Sequence, residues 1–218
     1  GRRPQKTWTM LTLYYHPLAC SLGAQLALAD AGIPHEAVYV DLAGDRSAYR
    51  QINPLGTVPA IRTEAGVLTE TTAIHAWLAQ AYPEAGLLPK DPFGFAQGVS
   101  LLAWLAASAQ PARRQVRMPA RFTPEAACHA QIQATGRELF ERCLQRIDGL
   151  LAGKDWVLGG DRPSSCDYQL MVYANWCALD GLALDPWPNF RRLRDRLLQR
   201  PAVRRVLEQI DSPLLKQA

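Results

Sequence analysis

The stretch LTLYYHPLACSLGAQLALADAGIPHEAVYV, residues 11–40, decides the fold. Leu11 to Tyr15 has the aliphatic and aromatic content of a strand. From about Cys20 to Ala31 the spacing turns helical, with Leu22, Leu26 and Ala29 on one face. Gly32 supplies a helix stop, Pro34 follows, and Ala37 to Val40 reads as a second strand. Strand, helix and strand in that order make a βαβ unit, and such a crossover joins parallel strands.

Outward from this unit, Val58 to Arg62 and Val67-Leu68 flank Glu64-Ala65-Gly66 and predict a short hairpin. Ile74, Trp77, Leu78 and Ala81 then fall at i, i+3, i+4 and i+7 of a helix. Tyr82 to Pro92 is dense in helix breakers and reads as a linker. Beyond it strand signals almost vanish, and helical periodicity recurs over about 96–117, 124–152, 165–179, 188–199 and 201–210. The expected fold class is therefore α/β followed by all-α. An N-terminal βαβ-ββα domain covers 10–82, a linker 83–92 and a helical bundle 93–218. Ser164 three residues before Asp167 at a helix start is read as a capping box, a folding signal rather than a nucleophile with its acid.

Composition narrows the function. The 218 residues are 48% hydrophobic, enough to bury a sizeable core. The formal charge is +4, but Arg2, Arg3 and Lys6 lie in residues 1–9, which contain no acid, and removing those three charges leaves the body at +1. A nearly balanced body argues against a nucleic-acid partner. Residues 1–9 are polar, precede Met10 and lack an apolar run, so they read as a leader or cloning remnant rather than a secretion signal. No uninterrupted apolar stretch of 18 residues suggests a membrane span. The five cysteines are odd in number and lack paired short spacing, which points to a reduced, cytoplasmic setting. His16, His35, His75 and His129 form no helix-spaced pair, and no metal is expected.

Three stretches in the first 72 residues carry the chemistry: Tyr15 to Ser21, Asn53 to Pro59, and Leu68 to Thr72. The first places the thiol of Cys20 where a strand gives way to a helix, so that unpaired backbone N–H groups and the positive helix end surround the sulfur. Such surroundings stabilise a thiolate. The second stretch is a Pro-bracketed turn that offers a backbone edge, and the third is a helix start suited to an anion. Each has a plainer reading. A lone cysteine in a helix is most often a small buried hydrophobe, and Glu70 is an ordinary acid for a first turn. Arg113, Arg114, Arg117 and Arg121 form a basic run that serves either as a solvated or ion-paired face or as a wall attracting an acidic substrate. Trp104 and Trp176 read as core.

Taken together, Tyr15, Pro17, Ala19-Cys20-Ser21, Asn53-Pro54, Gly56, Val58-Pro59-Ala60 and Thr69-Glu70 resemble, in order and approximate spacing, a cytosolic glutathione transferase. The pattern is most similar to the bacterial beta class, in which a cysteine follows Tyr-x-x-Pro. The resemblance spans residues 10–210 and is specific in the N-terminal half. It implies a thioredoxin-like domain, glutathione as cosubstrate without a metal, a small electrophilic second substrate, a homodimer, and a cis Val58–Pro59 peptide. It also assigns Cys20 to the thiolate, with Ser21 and Tyr15 as competing activators. Thr57, Val58 and Pro59 would hold the peptide backbone, and Glu70 and Thr71 the γ-glutamyl end. Gln110, Arg114 and Arg117 would line the second-substrate pocket.

The match departs from the family pattern in two places. Thr71 stands where serine or glycine is usual, and Gln110-Pro111 where the class has a His-Lys pair. Gly23 occupies the position of the resolving cysteine of dithiol enzymes, so a second thiol would come from glutathione. Conjugation, disulfide exchange through a Cys20 mixed disulfide, and a non-catalytic binding module all remain open at the level of sequence.

Overall fold

In the computed structural model the described residues are 10–216; the expected leader, 1–9, lies outside them. The N-terminal half is a four-stranded sheet of β1 (Leu11–Tyr15), β2 (His35–Tyr39), β3 (Ala60–Thr63) and β4 (Gly66–Thr69), in the order β2-β1-β3-β4. As the βαβ reading requires, β1 and β2 are parallel, and the hairpin strands β3 and β4 are antiparallel. Helices α1 (Leu22–Asp30) and α3 (Thr71–Ala81) and the short α2 (Ser47–Arg50) complete it.

The strand period of two decides which side chains meet which helix. Leu11 and Leu13 join Leu22, Leu26, Ile74 and Leu78 in the main core, on the α1/α3 side. Tyr14 joins Tyr49 of α2, Val58 and Ala60 in a smaller cluster. The sheet therefore ends, at Tyr15, between two packed layers, and the loop after it emerges at the N-terminus of α1.

The rest is helical: α4 (Pro92–Trp104), a wider π turn (Leu105–Ala109), α5 (Gln110–Arg117), α6 (His129–Leu150), α7 (Ser165–Leu179), α8 (Pro188–Leu198) and α9 (Pro201–Gln209). Helix α7 is buried from Ser165 to Ala178, as expected for a helix apolar on all sides. Its start carries the capping box: the Asp167 carboxylate accepts from Ser164 N–H at 2.7 Å and Val157 N–H at 2.8 Å. The main core runs without a break from Leu13 and Leu26 to Leu170 and Leu207, so residues 83–92 mark a change of architecture and not a gap between cores. Asp30 at the end of α1 reinforces the junction, accepting from the Tyr168 hydroxyl at 2.5 Å and pairing with Arg200.

The helix expected over 96–117 begins at Pro92 and is widened at Leu105–Ala109. Pro111 lacks an N–H and its ring crowds the carbonyl four residues earlier, which a regular helix does not tolerate. Instead Gln110 N–H bonds to the Leu105 carbonyl five residues back, the π pattern. Pro119 ends the helix after Arg117, so Arg121 does not extend the face of Arg113 and Arg117. The run Pro92–Arg117 is 26 residues with a window of mean hydropathy 1.2, long and apolar enough by composition to cross a membrane. Gln97, Ser100, Ser108 and Gln110 interrupt its apolar residues, and the run is widened by the π turn and packs against α6 and α7.

Candidate active site

Cys20 sits in the turn entering α1, where Ala19 N–H bonds to the His16 carbonyl at 3.0 Å and Leu22 N–H to the Ala19 carbonyl at 3.2 Å. Ser21 is fully buried and closes this turn: its hydroxyl donates to the His16 carbonyl and accepts from His16 N–H, both at 3.1 Å. That hydroxyl is engaged away from the sulfur, so the structure does not bring Ser21 to the site as an activator. Tyr15 ends β1 with its ring edge-on to Tyr39, 6.3 Å between centroids, and among the described residues it makes no hydrogen bond to the Cys20 sulfur.

The second stretch forms the opposite wall. Val58–Pro59 is cis. Gly56 has φ +64°, and a Cβ there would stand 3.0 Å from Arg50 Nε, so the turn requires glycine. The Thr57 carbonyl accepts from Tyr49 Oη at 2.7 Å and Asn53 Nδ2 at 2.8 Å, and Arg46 donates to the Gly56 carbonyl at 2.9 Å. These bonds fix the loop and turn the Val58 carbonyl to the sulfur, where it accepts from the Cys20 thiol at 3.6 Å. Among the described residues Val58 N–H has no acceptor.

The third stretch faces both. Glu70 is exposed and precedes α3 with φ 70°, a left-handed conformation that costs a non-glycine residue on the order of 1–3 kcal/mol and that the surroundings must enforce. Thr71 begins the helix and is buried, with its hydroxyl donating to Cys20 Sγ at 3.7 Å. Its methyl, absent from the serine usual in the family, does not displace that hydroxyl. The side chain thus serves the sulfur, while the first backbone N–H groups of α3 form the anion-suited end.

Electrostatics around the sulfur correct one expectation. Burial pushes the Cys20 thiol above its ordinary value; hydrogen bonds from Thr71 and Gln110, the backbone at Cys20 and the charge of Arg114 oppose this in decreasing order. The helix-end amides therefore do not by themselves produce a thiolate at neutral pH. Desolvation outweighs them because the residue is half-buried and its sulfur is ringed by Val58, Thr71 and Gln110. This balance favours the protonated thiol, which donates to the Val58 carbonyl.

Gln110, directly after the π turn, is near enough to the sulfur to favour its ionised form. Arg114, one turn later, is the cation whose charge is felt at Cys20. Arg117 is half-exposed and turns to Asp180 at 3.5 Å, at the rim rather than at the thiol. Arg113 is bound to the same carboxylate at 2.8 and 2.9 Å and lies over Trp176, 4.6 Å from its ring centre. Trp176 is core, as expected, and its indole N–H also donates to the Leu18 carbonyl at 2.9 Å, bracing the loop before Cys20. Among the described residues no three metal-ligating side chains cluster. Sequence reasoning missed Gln169 and Tyr173. Both are polar groups inside the apolar run of α7, and that interruption was the available signal.

Residues 23–86 match the family model of the glutathione S-transferase N-terminal domain. A solved glutathione transferase homolog from Sulfitobacter, with bound glutathione, is 31% identical; the match covers 92% of this chain and 98% of that one, with TM-score 0.83. A bacterial beta-class glutathione S-transferase from Sphingomonas chungbukensis is 30% identical over 91% of this chain and 98% of its own, with TM-score 0.78. Maleylacetoacetate isomerase of Pseudomonas aeruginosa is 27% identical over 209 residues, 91% of this chain and 97% of its own. With a thioredoxin-like half, a helical half and a cysteine at the α1 turn, the chain belongs to the glutathione S-transferase family of enzymes.

Proposed function

We propose that the protein binds glutathione along the Val58 edge and directs the glutathione sulfur onto a small electrophile. The observation that carries this reading is the Cys20 thiol held 3.6 Å from the carbonyl of Val58, a residue whose N–H has no acceptor among the described residues. Val58 would pair with the cysteinyl unit as an added strand does, with Thr57 and Pro59 shaping the edge. The backbone N–H groups at Thr71 would take the γ-glutamyl carboxylate and Glu70 the ammonium group. The glutathione sulfur would then lie near Cys20, whose S–H donates to it and stabilises its anionic form. That thiolate attacks the electrophile; a new C–S bond forms, and the leaving group departs with the electron pair of the bond that breaks.

This chemistry suits a thiol that stays protonated. Disulfide exchange asks the opposite of Cys20, because the attacking sulfur must be ionised. Gln110 and Arg114 would face the entering electrophile, with Arg117 at the rim, and the charge of the two arginines would favour acidic substrates. A homodimer working in the cytoplasm completes the proposal, by likeness to the family.

The test is conjugation of glutathione to chlorodinitrobenzene by the protein and by Cys20→Ala, with intact mass after treatment with oxidised glutathione. Turnover should exceed the uncatalysed rate and fall about tenfold or more in Cys20→Ala without vanishing, the effect of one charge-assisted hydrogen bond. A rapid single adduct on Cys20, with all turnover lost in Cys20→Ala, would instead establish exchange through a mixed disulfide.

A further inference from the structure

Gln169 stands on α7, in the helical half, and is 3% exposed. Its Nε2 donates to the backbone carbonyl of Cys20 at 3.4 Å, and its Oε1 meets Nε2 of His75 at 3.2 Å. A carbonyl only accepts, so the amide nitrogen must face Cys20 and the amide oxygen the imidazole, which puts the His75 proton on Nε2. One carboxamide therefore ties the turn that carries Cys20 to α3, where Thr71 lies one helical turn before the fully buried His75.

The room for this side chain comes from Gly23. A Cβ at that position would stand 2.0 Å from Gln169 Oε1 and 2.9 Å from its Cδ. Gly23 is not among the glycines with positive φ, so the requirement is for space and not for backbone freedom. Two residues far apart in sequence, one missing a side chain and one filling the gap, form a socket and plug between the halves of the molecule.

We propose that Gln169 is a positioning residue: through the Cys20 carbonyl and His75 it holds the Cys20 sulfur within reach of the Thr71 hydroxyl, and Gly23 is kept small to admit it. The consequence is electrostatic as well as steric. The Thr71 bond is the largest of the contributions favouring the thiolate form of Cys20, and at 3.7 Å it has little slack before it is lost. The inference rests on the reading that Cys20 is the thiol that holds the glutathione sulfur, but its test needs neither glutathione nor an electrophile.

That test is the pH dependence of Cys20 alkylation by iodoacetamide, read by peptide mass so that Cys128, which is exposed, is scored separately. Gln169→Met keeps the length of the side chain and removes both hydrogen bonds. Its alkylation midpoint should move to higher pH and its rate near neutrality should fall about threefold or more. Gly23→Ala should do the same from the opposite side. The double variant should be no slower than the worse single one, because both act through one contact. If Gln169→Met does not fold, Gln169→Asn, one methylene too short to span both partners, takes its place. Variants that melt earlier yet alkylate along the unaltered pH profile, or singles whose effects simply add, would overturn the proposal and leave Gln169 as interdomain packing.

Discussion

The hydroxyl of Thr71 donates to the sulfur of Cys20 across 3.7 Å, joining two residues 51 positions apart in the chain. Each lies at the N-terminal end of a helix, α1 or α3, and the shared sheet brings those ends together. The bond favours the ionised sulfur but does not overcome burial. Thr71→Val replaces the hydroxyl by a methyl of similar shape and should raise the Cys20 pKa further. One net hydrogen bond of about 1 kcal/mol corresponds to about a fivefold slower alkylation of Cys20 near neutral pH. An unchanged pH profile in Thr71→Val would mean that the contact has no electrostatic weight.

Gln110 and Arg114 act on the same sulfur from the helical half, one by hydrogen bonding and one by charge. Gln110→Glu puts a carboxylate where an amide donated, and a negative charge near a thiol opposes its ionisation. The alkylation midpoint should therefore rise, and by more than in Arg114→Gln, which removes only the most weakly felt of the favourable influences. Raising the salt concentration should blunt the Arg114 effect and leave the Gln110 effect largely intact, since only the longer-range interaction is screened. The reverse ranking, measured in the same assay, would contradict this account.

Much of this was legible in the chain, for reasons particular to each residue. Leu11, Leu13 and Tyr14 show the strand period directly, and Gly32 with Pro34 punctuates the helix between the parallel strands. The Ser164–Asp167 box is a local pattern with a local cause, and it folds as read. What sequence could not convey depended on contacts between distant segments. The sign of the Cys20 shift is set by enclosure from Val58, Thr71 and Gln110, residues 38, 51 and 90 positions further along the chain. Gly23 announced only the lack of a second thiol; its spatial reason is Gln169, on the other half of the molecule. The Gln110-Pro111 pair stood out only as a departure from the His-Lys pattern; in the fold it directly follows the π turn, and Gln110 is among the groups that favour ionisation of Cys20.

His75 predicts an acid-sensitive fold. It is fully buried, its Nδ1 has no partner among the described residues, and burial lowers its pKa to about 4 despite the bond to Gln169. Above pH 6.5, the ordinary histidine value, it is neutral in both folded and unfolded chains and contributes no pH dependence. As pH falls from 6.5 towards 4 the unfolded chain takes up a proton that the folded one refuses, so stability declines with falling pH across that window. The loss should approach roughly 3 kcal/mol and then level off. Urea unfolding of His75→Gln, which cannot titrate, should show a shallower dependence between those pH values; parallel curves for the two proteins would exclude His75 as the cause.

Tyr173 offers a separate handle on how the π turn is held. Its hydroxyl donates at 2.8 Å to the Leu105 carbonyl, which also accepts from Gln110 N–H, and the ring packs edge-on against Trp176 at 5.0 Å. Burial keeps its pKa well above the ordinary tyrosine value, so it remains a neutral donor at any working pH. Tyr173→Phe keeps the ring packing and removes the donor from a buried carbonyl. The expected cost is about 1–2 kcal/mol, constant across pH, because the second acceptor site of Leu105 is left unfilled. If the hydroxyl also sets the course of the helix into Gln110, Cys20 alkylation should slow in Tyr173→Phe and in Gln110→Ala alike, and adding Tyr173→Phe to Gln110→Ala should slow it no further. A stability loss with an unaltered Cys20 pH profile would confine Tyr173 to holding the helix and separate the π turn from control of the thiol.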